Sequence, residues 1–132
     1  MRSLVVLGLW ALVSGLAACN FRAQVRSETD RDIWAQFTWH NKTDSEIFEF
    51  SKFGETKNFT VTGTLCNLAP TVLRSWEERP KKGTRPIGET SAHLEGNEGG
   101  VVFYKTFAKH GPAVVRTEAI LCAWGQCRLG RK

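Results

Sequence analysis

The chain predicts an all-β fold, a small antiparallel β-sandwich preceded by a cleaved signal peptide. Two observations carry this prediction. Short stretches alternate apolar and polar residues with period two, and turn residues recur between them without any long segment of helical period. The composition agrees: 42% hydrophobic and 23% charged residues in 132 positions fit one compact domain and exclude collagen-like, coiled-coil and broadly disordered chains.

The leader comes first. Arg2 gives a short positive start, residues 4–13 form an apolar stretch, and Ser14, Gly15, Ala17 and Ala18 supply small residues before Cys19. This is the pattern of a secretory signal peptide over residues 1–18, and no later segment is apolar enough to span a bilayer. Leu16-Ala17-Ala18-Cys19 also fits a bacterial lipobox, which would place a lipid on Cys19 and anchor the protein in an outer membrane. Two Asn-x-Thr sequons, at Asn41 and Asn58, and an even number of cysteines favour a secreted, glycosylated protein instead.

Residues 19–32 carry Arg22, Arg26, Glu28, Asp30, Arg31 and Asp32 and read as a polar N-terminal arm, or a short helix starting at Ser27. The sandwich itself is expected over 33–127. Ile33, Ala35, Phe37 and Trp39 alternate with polar neighbours and predict a first strand. Residues 47–50 follow as a second. In the third, Phe59, Val61, Gly63 and Leu65 share one face while Thr60, Thr62, Thr64 and Cys66 share the other. Residues 72–76 are a fourth candidate, Pro80 and Pro86 bracket a basic loop, and 101–107 and 113–124 complete the set. Residues 128–132 form a basic tail.

Residues 58–67, with Val61-x-Gly63-x-Leu65 running into Cys66, resemble the opening strand of the nematode transthyretin-like family. Residues 72–77 are similar to its second strand, ending in Trp76-Glu77. Gly88-x-Thr90 followed by Gly100, Val101 and Phe103 resembles its turn and strand, and Pro112, Cys122 and Cys127 its late segment. The resemblance covers about residues 57–127, and residues 20–56 have no counterpart in it. It implies an extracellular protein that works by binding. The order Cys66, Trp76, Cys122 also resembles the Cys…Trp…Cys spacing of immunoglobulin-like recognition domains.

The chain has four cysteines. Cys66–Cys122 is the expected bridge, tying the third strand to the last, with Cys19–Cys127 as the second; Cys122–Cys127 across Gly125 competes. As a metal site, Cys122-x4-Cys127 lacks a second Cys/His pair, so no metal is expected. His40, His93 and His110 sit in no catalytic or metal motif and read as solvated. Glu77, Glu78 and Glu89 read as a soluble face, and no nucleophile motif or phosphate-cradling loop occurs. The expectation is a non-enzymatic protein without a cofactor.

The net charge is +5. Arg74, Arg79, Lys81, Lys82 and Arg85 cluster around the proline-bracketed loop, and with the outward-pointing Trp34 they make a candidate binding patch. The partner classes it suits are an extracellular protein, a glycan or a lipid headgroup. Nothing in the pattern suggests a nucleic-acid motif.

Overall fold

The computed structural model describes residues 18–96 and 99–127, so the signal peptide expected over residues 1–18, apart from Ala18, and the expected basic tail lie outside the described residues. Its elements are β1 (Ala18–Ser27), β2 (Ile33–Thr38), β3 (Phe48–Phe50), β4 (Thr56–Thr64), β5 (Thr71–Trp76), β6 (Gly88–Glu95), β7 (Gly100–Phe107), β8 (Gly111–Glu118) and β9 (Leu121–Gly125). They form a four-stranded sheet in the order β4-β1-β7-β8 and a five-stranded sheet in the order β3-β2-β5-β6-β9. The two sheets share one core, the arrangement of a β-sandwich.

The polar arm expected over 19–32 is replaced by β1. Phe21, Ala23, Val25 and Ser27 are buried, while Asn20, Arg22 and Arg26 face outward. The charges sit on alternate positions, so they leave an apolar face intact. β1 is an interior strand, antiparallel to β4 and parallel to β7. The sandwich is therefore mixed rather than purely antiparallel, and it begins before residue 33.

β2 follows its expected pattern, with Ile33, Ala35 and Phe37 buried. β4 keeps the expected inward side at Phe59 and Val61, but Leu65 lies beyond its end and is exposed. β6 was not anticipated, because its inward residues Thr90, Ala92 and Leu94 are small or polar in part. The single strand expected over 113–124 is two. The chain turns at Ala119, which has φ 54°, and passes from the edge of one sheet to the edge of the other. The Ile120 side chain fills the turn: a Cβ on Gly100 would come 2.5 Å from Ile120 Cγ1.

Phe37 is the hub of the core. Its ring stacks on Trp39 at 4.4 Å and meets Phe59 at 5.1 Å and Tyr104 at 5.3 Å, edge-on in both cases. Phe48 adds a contact to Phe59 at 4.8 Å. Phe37, Trp39 and Phe48 come from the β2–β3 side, and Phe59 and Tyr104 from β4 and β7, so the aromatics join the two sheets. Burial pushes the Tyr104 hydroxyl pKa well above its ordinary value.

The bridges are Cys19–Cys66 and Cys122–Cys127, with Cα separations of 6.1 Å and 6.2 Å. The expected Cys66–Cys122 and Cys19–Cys127 pairs do not form. Leu65, at φ 55°, ends β4 and turns the chain, which carries Cys66 over the pair formed by Cys19 and Gly63 in the β1–β4 register. Cys122 instead closes locally around Gly125. There, Gln126 N–H donates to the Ser91 carbonyl at 3.0 Å and holds the return.

Candidate functional site

The hairpin between β5 and β6 carries the basic loop. Its tip is a turn in which Thr84 N–H donates to the Lys81 carbonyl at 2.9 Å and Lys81 N–H donates to Thr84 Oγ1 at 3.0 Å. The Trp76 indole N–H reaches across to the Thr84 carbonyl at 3.1 Å and fastens the loop to the end of β5. Arg79, Lys81, Lys82 and Arg85 are all exposed. None of these four makes an ion pair with another described residue.

Trp34 belongs to the same end of the sheet. It lies opposite Trp76 in the β2–β5 register and is half-buried. With Arg31, Asp32, Ile33, Glu77 and Ala108 it lines an open recess. Trp34 is thus linked to the loop through Trp76, but the loop lines the recess with Glu77 and not with the four cations. Arg74 does not join them. Its guanidinium donates to Glu89 Oε2 and to Thr38 Oγ1, each at 2.9 Å, on the outer surface of the five-stranded sheet.

The sequons are separate from this patch. Asn41 is exposed in the turn after β2, where its Oδ1 accepts from Thr43 Oγ1 at 2.6 Å and from Thr43 N–H at 3.2 Å. Asn58 points outward from β4, an edge strand. At the far end of the five-stranded sheet Asn67 donates to Glu95, whose cross-strand partner is Leu121; Leu68 and Leu121 are exposed there.

Two histidines depart from expectation. His93 lies in β6 rather than in a turn. His40 is not simply solvated: it is half-buried, its Nε2 lies 3.4 Å from Cys66 Sγ, and its Nδ1 is buried without a hydrogen-bond partner among the described residues. Loss of solvent lowers its pKa. Sequence reasoning missed this pairing because 26 positions separate the two residues.

No family model, curated protein or solved structure matches this chain. No helix among the described residues is long and apolar enough to cross a membrane.

Proposed function

We propose that this chain is a secreted, non-enzymatic binding protein that meets an acidic extracellular partner through the β5–β6 loop and Trp34. The observation that carries this reading is the set of four exposed cations that make no ion pair among the described residues, on a loop pinned by the Trp76–Thr84 hydrogen bond. Exposed charges at such a tip attract an opposite surface at little cost in structure, and the indole of Trp34 adds apolar contact. The two bridges suit an oxidising, extracellular compartment.

The two alternative readings, an immunoglobulin-like domain and a bacterial lipoprotein, fit the bridges less well. An immunoglobulin-like domain would join Cys66 to Cys122, whereas Cys66 is bonded to Cys19. The lipoprotein reading needs the sulfur of Cys19 for a lipid, and that sulfur is in the bridge. The transthyretin-like resemblance begins near residue 57, which leaves β1 and β2, interior strands of the two sheets, outside it.

The test is retention on immobilised heparin, a sulfated glycan, as a function of salt. Wild-type protein should bind at low salt and elute as salt rises. The variant Arg79→Gln/Lys81→Gln/Lys82→Gln/Arg85→Gln should lose most retention with an unchanged thermal midpoint. Equal retention of variant and wild type, or none for wild type, would overturn the assignment.

A further inference from the structure

Cys19, His40 and Cys66 come from three separate segments, yet their donor atoms lie within 4.8 Å of one another. Cys19 and Cys66 are buried and His40 is half-buried, so the imidazole closes the solvent side of the cluster. The spacing has a chemical meaning. Around a tetrahedral Zn²⁺, with Zn–S about 2.3 Å and Zn–N about 2.0–2.1 Å, a sulfur and a nitrogen stand about 3.6 Å apart. His40 Nε2 already stands 3.4 Å from Cys66 Sγ.

Two features leave this position open to a cation. Gly63 faces the cluster without a side chain, and a Cβ there would come 3.0 Å from His40 Nε2 and 3.9 Å from Cys19 Sγ. Among the described residues no hydrogen bond fixes a proton on Nδ1, and once the bridge is open Nε2, 3.4 Å from Cys66 Sγ, can turn its lone pair to a cation.

We propose that, with their bridge open, Cys19, Cys66 and His40 form a three-donor site for Zn²⁺, so that the disulfide and the metal are alternative occupants of one place. Two thiolates and a divalent ion sum to zero charge, which suits a buried site, and a water completes the tetrahedron. The steps balance. A dithiol reductant gives two electrons and two protons to the S–S bond, yielding two thiols while it closes to its own disulfide. Zn²⁺ then displaces both thiol protons, forming two Zn–S bonds and one Zn–N bond. A two-electron oxidant reverses this by re-forming the S–S bond and releasing the ion. In a newly made chain, the metal would keep these thiols paired with each other until oxidation.

The experiment uses the full chain carrying Cys122→Ser/Cys127→Ser, reduced with a phosphine and titrated anaerobically with Co²⁺ as the spectroscopic probe. The expected result is one equivalent bound, with sulfur-to-cobalt charge-transfer absorption and the intense visible bands of a tetrahedral site, both abolished by Zn²⁺. His40→Ala should weaken binding at least tenfold and alter the visible bands, and the oxidised protein should show neither absorption. Far-UV circular dichroism of the same samples reports whether the fold persists. Absence of charge transfer in the folded reduced chain, identical spectra and affinity with His40→Ala, or binding only after the sheets are lost would each overturn the proposal.

Discussion

Gly63 lies directly opposite Cys19 in the β1–β4 register, with its φ at +148°. A side chain there would meet both a disfavoured backbone conformation and the His40 ring. Gly63→Ala is therefore expected to cost roughly 1–3 kcal/mol, measured by urea denaturation. An unchanged midpoint would show that the β4 backbone relaxes freely around this position.

His40 should make stability depend on pH. An unfolded imidazole takes its proton near pH 6.5, whereas desolvation holds the folded pKa lower. The unfolded chain therefore binds more protons in the interval between the two values. Stability contributed by neutral His40 is fully present above the unfolded value and is lost as pH falls through the folded one. Urea midpoints at about pH 7.5 and about pH 5 should differ more in wild type than in His40→Gln. Equal differences would remove His40 as the cause.

The two bridges should contribute unequally. They span sequence separations of 47 and 5 residues. On the chain-entropy account, removing the longer loop costs about 4 kcal/mol and the shorter about 2 kcal/mol. Denaturation of Cys19→Ser/Cys66→Ser beside Cys122→Ser/Cys127→Ser checks the order, and the reverse order would mean that native packing outweighs loop entropy.

Thr106 is fully buried in β7 and its hydroxyl has no hydrogen-bond partner among the described residues. Thr106→Val replaces that oxygen with a methyl of similar shape. The expected change is between zero and about 1 kcal/mol of added stability, seen as a higher thermal midpoint. A loss of stability would point to a bound water at the hydroxyl.

The parts of this fold that the sequence displays are those where burial is carried by large side chains. Ile33, Ala35 and Phe37 announce β2 because bulky apolar residues alternate with polar ones. β1 obeys the same alternation, but Ala23 is a weak signal and Arg22 and Arg26 dominate a reading based on charge. β6 hides for a similar reason, since Thr90 and Ala92 face inward. The loop cations of the proposed binding patch are close in sequence and legible, and the break in the alternation at Trp34 marks it as facing outward. Of the cysteine pairings, Cys122–Cys127 was open from the sequence only as a competitor, and Cys19–Cys66 was not legible. Their choice depends on the turn at Leu65 and on the meeting of β1 with β4, which are properties of the assembled sheets.

The position of β1 also sets an order of assembly. Its neighbours are residues 56–64 on one side and 100–107 on the other. During synthesis this strand emerges before both neighbours, and one of its edges stays unpaired until residues 100–107 have followed. Closing contacts over such separations is slow, and an unpaired apolar strand is open to mispairing with other chains meanwhile. Residues 18–27 are thus where a chaperone would have the longest opportunity to act.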